Sequence, residues 1–375
     1  MNFLLHDAQN ACKSGSMRIV AEMRTLSPRE LNRATLARQL LLRRARLPVP
    51  RAIERTGGLQ AQWPPSPYLA LWTRLEGFRR EQLVRAVERR RVVKATLMRT
   101  TLHLVSAEDY LAYAGLFLSR RVESVERELA RHPGEVDVER LAQRLIELAA
   151  EEPRTRPELL RLLGQPKLDA VDRHPWLVWH LLVAKAKLVH GPSSSAWRAH
   201  TSGGTFVPAE ALLGAAGAHG DKAAAHLVSR YLAAFGPATR PDVSQWTGLP
   251  VSMLEEGLSR LQPRRFRDEL GRELLDLPRA PLPPADTPAP VRLLPRWDSL
   301  LLAHDDRRRV LPDEYRKVVI ARNGDVAATF LADGHIAGKW TLMDGRVRLE
   351  PFAPLPRRVQ RELDDEVRLL EAFVR

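Results

Sequence analysis

Apolar positions set the first elements. After Ser27-Pro28-Arg29-Glu30, the residues Leu31, Leu36, Leu40 and Leu41 recur near the helical period. Ser27 is the expected N-cap, Pro28 suits the first turn and Glu30 completes a capping box, while Pro48 and Pro50 end the helix. Helices are expected again over residues 66–76 and 80–90, and residues 92–105, rich in β-branched side chains, read as a β-ribbon. The order then recurs. Residues 138–150, 155–164 and 174–189 predict helices, followed by Val189-His190-Gly191 and a Ser/Gly-rich hairpin region to Gly204. Residues 223–235, 239–247 and 250–262 predict a third set, with Thr239 capping, Gly248 closing the middle helix and a wing over Arg267–Leu277. Helices joined by short turns form the helix-turn-helix unit, and three helices with a ribbon follow the winged-helix order. The sets share no strict sequence period.

From Pro278 to Pro290, six of 13 residues are proline, which predicts a semi-rigid linker. Beyond it, 291–303 and 317–350 read as strands, Asp344-Gly345 as a hairpin turn and 356–373 as a closing helix. The expected fold class is α+β, mainly helical. Its expected parts are a flexible lead (1–25), three winged-helix modules (26–135, 136–210 and 211–277), the linker (278–290) and a small β domain with its helix (291–375).

Length agrees with several modules, because 375 residues exceed what one core sustains. With 44% hydrophobic and 28% charged residues, the chain has the composition of a folded protein. The lone Cys12 excludes an intramolecular disulfide framework and a Cys-rich zinc site. No apolar run approaches the roughly 20 residues of a membrane span. Phe3–Leu5 is too short for a signal core, so a cytoplasmic protein is expected. Lys plus Arg number 59 against 45 Asp plus Glu, a net charge of +14 that favours polyanions, nucleic acid before an anionic membrane surface. Heavy use of Arg and Ala also follows from a GC-rich genome, so charge alone does not decide.

The candidate chemistry is concentrated in a few segments. Gln60 and Gln62 would point about 200° apart on a helix but share a face in extended chain. Gly57-Gly58 before them and Pro64-Pro65 after them disfavour a helix through this stretch. The plainer reading leaves both glutamines facing solvent at a helix end. In the ribbon, Arg99, Thr101 and His103 would alternate on one face beside Thr100, suited to a DNA groove; an ordinary strand with His103 satisfied by a neighbour is the competing reading. Arg307, Arg308 and Arg309 follow His304-Asp305-Asp306 in a charged turn, where they would touch phosphate or pair with the two aspartates. Asp298 reads as a buried structural acid. His174 and His180 are six apart and His219 and His226 seven, neither the spacing of a helical zinc pair, so no metal is expected. Gly214-Ala215-Ala216-Gly217 lacks the context of a phosphate loop. Trp63 adjoins the glutamines, where it would stack on a base or line a lesion pocket.

Five segments carry a resemblance in co-linear order: Gly58–Gln62, Leu71–Arg74, Arg99–Leu104, Tyr231–Thr239 and Leu294–Asp298. Across roughly residues 28–350 the chain resembles the bacterial winged-helix DNA glycosylases typified by AlkZ and YcaQ. The resemblance implies tandem winged-helix motifs around a DNA channel, with a C-terminal β domain. It implies a monofunctional enzyme that hydrolyses the N-glycosidic bond of N7-alkylated purines and unhooks interstrand crosslinks, in self-resistance to a DNA-alkylating natural product. Gln-x-Gln, rather than Gln-x-Asp, places the chain on the AlkZ-like side and makes Gln60 and Gln62 the catalytic residues. The implied partner is double-stranded DNA carrying alkylated or crosslinked purines, bound by a monomer without a cofactor.

The chemistry is consistent with that implication. Carboxamides are poor bases, and ordinary glycosidases use two carboxyl groups. An N7-alkylguanine already carries positive charge and leaves without an acid. Oriented carbonyl oxygens can then place a water and stabilise an oxocarbenium-like sugar. No lysine lies near the glutamines, Lys94 being closest in sequence, so no lyase step is expected. A crosslinked base is tied to the other strand, so recognition within the duplex is expected rather than extrusion. The alternatives are a non-catalytic winged-helix DNA-binding regulator and a protein that binds damage without excising it.

Overall fold

A computed structural model of the chain describes residues 23–131, 137–164, 175–199, 204–214 and 221–375. Most of the lead, together with His174, His219 and Gly217, lies outside them. The first stretch runs β1 (Thr25–Leu26), α1 (Pro28–Arg38), α2 (Val49–Arg55), β2 (Leu59–Gln60), α3 (Pro65–Arg74), α4 (Arg80–Glu88), β3 (Val92–Thr96), β4 (Leu102–Ser106) and α5 (Ala107–Leu129). The Ser27–Glu30 capping box forms as the sequence predicts. The long α5 corresponds to no predicted element. It starts on Ser106, whose hydroxyl accepts from the Asp109 amide, and buries Tyr110, Tyr113, Phe117 and Val125 along one stripe.

The second stretch contains α6 (Val138–Glu151), β5 (Arg154–Thr155), α7 (Arg156–Leu162), α8 (Pro175–Lys185), β6 (Leu188–His190), β7 (Thr205–Pro208) and α9 (Ala209–Leu213). Its strands do not form a separate sheet. They continue that of the first stretch in the order β2-β4-β3-β6-β7-β5, joined where Lys94 pairs with His190. The third stretch is α10 (Asp221–Phe235), α11 (Arg240–Thr247), α12 (Val251–Leu261), β8 (Arg264–Asp268) and β9 (Glu273–Asp276). Here β1 pairs in parallel with β8, so Thr25, the last residue of the expected lead, is held in a strand.

The expected linker is fastened down. Arg29, Arg33 and Arg38 on α1 donate to the carbonyls of Ala285, Thr287 and Pro281. Arg38 also forms a bidentate pair with Asp276 in which both side chains are fully buried, binding α1 to β9.

The last stretch holds β10 (Arg292–Leu294), α13 (Arg316–Val319), β11 (Thr329–Ala332), β12 (His335–Met343), β13 (Arg346–Pro351) and α14 (Arg357–Val374). The four strands form an antiparallel sheet, with Asp344-Gly345 turning between β12 and β13 as the sequence predicts. Strand is sparser than expected over 291–303: only β10 is extended, because Asp298 caps a 3-10 turn at 299–301. The closing helix returns to the start of the chain. Phe373 packs 6.1 Å from the ring of Trp72 and 6.0 Å from that of Phe78, and Leu363 and Leu370 share one core with α3, α4 and β10.

Candidate active site

The glutamines lie outside any helix, because glycines stop α2 before them: Gln60 ends the short strand β2, and Gln62 lies in the bend that follows. α2 ends at Arg55, and Gly57 and Gly58 turn the chain at φ +77° and +93°, a region that side chains with Cβ rarely enter. A Cβ on Gly57 would lie 2.9 Å from the Phe235 ring, so the turn also needs glycine for space. β2 then pairs antiparallel with β4, Leu59 opposite Leu104 and Gln60 opposite His103, and the Ala61 amide donates to the Leu102 carbonyl at 2.7 Å. Ser299 Oγ donates to the Gly58 carbonyl, so the 3-10 turn of the last stretch supports the glycine pair. Behind it, Asp298 is a buried structural acid as expected, held by Arg74 at 2.8 and 2.9 Å.

Neither glutamine is a solvent-facing helix-end residue. Gln60 is 7% exposed and Gln62 half-buried. Gln60 Oε1 accepts from Arg99 Nη2 at 3.2 Å, and Gln62 Oε1 accepts from the Leu102 amide at 2.8 Å. Guanidinium and backbone amide are pure donors, so each carboxamide is fixed with its oxygen toward the protein. Each oxygen retains one lone pair. The NH2 groups make no hydrogen bond among the described residues.

Arg99 sits at the tip of the β3–β4 hairpin, in a 3-10 turn over Met98–Thr100, and not on a strand. Arg99 and Thr100 both have left-handed backbone, φ +52° and +58°. The guanidinium bridges Gln60 to the carbonyl of Trp246 near the end of α11. Gly248 closes that helix at φ +74°, and a Cβ there would lie 3.1 Å from the Arg99 backbone. Arg99 is thus directed at Gln60 and away from an outer groove. Its pKa falls to about 10, first from burial and then from the charge of Arg307.

The expected alternation of Arg99, Thr101 and His103 on one exposed face is corrected, because the tip turn breaks the ribbon. Thr100 is exposed and Thr101 half-buried, but His103 is only 2% exposed. Its Nδ1 lies 3.0 Å from the Thr101 carbonyl oxygen. Burial, with help from Arg99, pushes its pKa down to about 3, so the ring is neutral at physiological pH.

The three arginines of the charged turn have different roles. Arg307 donates from Nε to the Leu301 carbonyl at 2.9 Å and is half-buried. Arg308 is exposed and pairs with Asp306, whose carboxyl is held well below the usual range chiefly by that bond. Arg309 points inward, against expectation: it donates to Thr35 Oγ1 and to the carbonyls of Phe235 and Pro237, which leaves it unsuited to phosphate. Trp63 lies half-buried beside the glutamines and lines a cleft of about 450 Å³ with Arg296, Lys317, Trp340 and Leu342. Sequence reasoning missed the bridging role of Arg99, its anchor at Trp246 and the need for glycine at 248. Only the Gly248 helix stop had a sequence signal.

Among the described residues no group of three His, Cys, Asp or Glu side chains is placed to hold a metal, and no helix is long and apolar enough to cross a membrane.

Comparison with known proteins adds the decisive observation: residues 53–373 match the family model described as DNA glycosylase AlkZ-like. The chain belongs to the AlkZ-like DNA glycosylase family. Members are hydrolases that act on N-glycosyl bonds, and a non-catalytic regulator is not favoured for an AlkZ-like chain. A curated relative, the interstrand DNA cross-link repair glycosylase of Streptomyces sahachiroi, is 26% identical over 341 residues, 84% of this chain and 88% of its own. The solved structure of Streptomyces sahachiroi DNA glycosylase AlkZ superposes with a TM-score of 0.76 at 23% identity, covering 93% of this chain and 97% of that one. That likeness shows a shared α+β fold for the AlkZ-like chain.

Proposed function

We propose that this AlkZ-like protein is a monofunctional DNA glycosylase for N7-alkylated purines that also unhooks interstrand crosslinks, serving self-resistance to a DNA-alkylating natural product. The observation that carries the reading is the pair of carboxamides held by Arg99 and by the Leu102 amide, one at the end of β2 and one in the bend after it, with no carboxylate in the Gln-x-Gln motif. The crosslink substrate is also the one named for the S. sahachiroi relative.

In this mechanism the leaving base departs neutral because alkylation has already made it cationic. Gln60 and Gln62 supply what remains. The lone pair that each oxygen keeps holds a water, and that water faces the positive charge growing on the sugar. Fixed dipoles do this without reorganising during the reaction. Such a site is too mild for unmodified guanine, which gives selectivity without reading the base closely. Three winged-helix units would surround a DNA channel, with Thr100, Thr101 and Arg307 near its surface and Trp63 lining the lesion side. The protein would act as a cytoplasmic monomer.

Excision is tested on a short duplex carrying N7-methylguanine and on one crosslinked by a bifunctional alkylator, with alkali revealing abasic sites. Wild type should cleave both. Gln60→Ala and Gln62→Ala should bind DNA yet lose excision by about 10²-fold or more, the scale for removing one oriented polar group from a transition state. No abasic product from wild type on either duplex would refute the assignment.

A further inference from the structure

On the far side of the 98–100 turn lies a second cleft, of about 420 Å³, whose lining includes Arg99, Thr100, Arg120, Arg121, Trp176 and His180. Among the described residues no carboxylate lines it. Arg121 is 6% exposed, donates from Nη2 to the Thr96 carbonyl at 2.7 Å and leaves its buried Nε without a partner. Among the described residues Arg99 donates only to neutral oxygens, those of Gln60 and Trp246. Arg120 has Glu123 at 3.5 Å, but that carboxylate is 61% exposed and outside the cleft.

Two sheltered guanidiniums with no counter-charge among the described residues are costly, and the cost falls when an anion enters. The neighbouring groups agree: burial first, then the charge of Arg121, lowers the pKa of His180, and the charge of Arg307 adds to the effect of burial at Arg99. At the rim stands Trp176, 55% exposed, its ring edge-on to His180 at 5.9 Å. An exposed indole beside arginines is a stacking platform for a base.

We propose that this cleft seats one nucleotide of the bound DNA, with its phosphate on Arg120 and Arg121 and its base against Trp176. The seated phosphate also offsets the charge of Arg99. Unscreened, that charge opposes the positive sugar beside Gln60, so filling the cleft favours bond breakage as well as binding. Only this last consequence rests on the glycosylase reading.

The test uses the full chain and a short duplex containing a tetrahydrofuran abasic analogue, with Kd from fluorescence anisotropy across a salt series. Trp176→Ala should raise Kd about 5- to 100-fold, the range for losing one base–aromatic stack, and Trp176→Phe should restore most of it. Arg120→Ala should reduce the slope of log K against log salt by about one, the loss of a single phosphate contact. Thermal midpoints of all three variants should match wild type, since both side chains are at the surface. Wild-type Kd and slope in Trp176→Ala and Arg120→Ala would overturn the proposal. So would deoxyadenosine monophosphate or inorganic phosphate raising the wild-type midpoint, but not that of the variants, while duplex binding stays unaltered, because the ligand would then be a free phosphate compound. Wild-type excision run in parallel separates the two claims. Excision with unaltered variants sinks the cleft alone; weakened variants without wild-type excision sink the glycosylase reading and leave the cleft.

Discussion

Arg99 Nη2 meets Gln60 Oε1 at 3.2 Å from a backbone held left-handed, so a strained turn determines how a carboxamide is presented. The strain is stabilised on the other side by the Trp246 carbonyl and by the space above Gly248.

Arg99→Gly separates these contributions. Glycine accepts φ +52° without strain but brings no guanidinium, so the fold should persist while Gln60 is freed to rotate. Single-turnover excision should fall about 10- to 100-fold, less than removing Gln60 itself, on the scale of a lost charge-assisted hydrogen bond. An unchanged rate would show that Arg99 does not position the glutamine.

Gly248→Ala acts on the same turn from the opposite side. Alanine is strained at φ +74°, and its Cβ would press on the Arg99 backbone at 3.1 Å. Stability should drop by about 1–2 kcal/mol, measured by urea unfolding, with slower excision. Loss of stability without any change in rate would uncouple α11 from the site.

The Arg74–Asp298 pair supports the turn that holds Gly58. Removing one partner, as in Asp298→Leu, leaves a buried guanidinium uncompensated and should cost about 3–5 kcal/mol. Replacing both, as in Arg74→Met with Asp298→Leu, should cost much less. Equal losses in the single and double variants, read from denaturant midpoints, would contradict this account.

Acid should destabilise the fold through its buried histidines. His103, His190 and His304 have pKa values lowered to about 3, chiefly by burial, against an ordinary value of 6.5. The unfolded chain binds protons that the folded chain refuses, so this contribution is complete above pH 6.5 and is lost as pH falls from there toward 3. Between pH 7.5 and 5 each such histidine should cost about 2 kcal/mol. His103→Gln should flatten the pH dependence of the urea midpoint; an unaltered slope would mean that His103 already titrates normally.

Local chemistry was the legible part of this chain. The Ser27–Glu30 box, the Thr239 cap paired with Asp242 and the Gly248 stop all lie where their side chains dictate. That no helix runs through Gln60–Gln62 followed from glycines before and prolines after; the bend at Gln62, just past the strand, did not. The inward turn of His103 was hidden because alternation assumes a continuous strand, and no glycine marks the left-handed pair at Arg99–Thr100. Helix α5 has a regular apolar stripe, but its signal follows directly on the β-branched ribbon and is overshadowed by it. Joining β3 to β6 depends on a contact between Lys94 and His190, far apart in sequence, for which the chain gives no local sign.

The return of α14 to the core beneath α3 and α4 has a consequence during synthesis. Trp72 and Phe78 wait for Phe373, so the packing behind the glutamine segment stays unfinished until α14 has left the ribosome. A chain truncated before that helix would not be a shorter enzyme with its chemistry intact. It would carry the motif on an incomplete support, so that the two glutamines depend on a helix that begins only at Arg357, far along the chain.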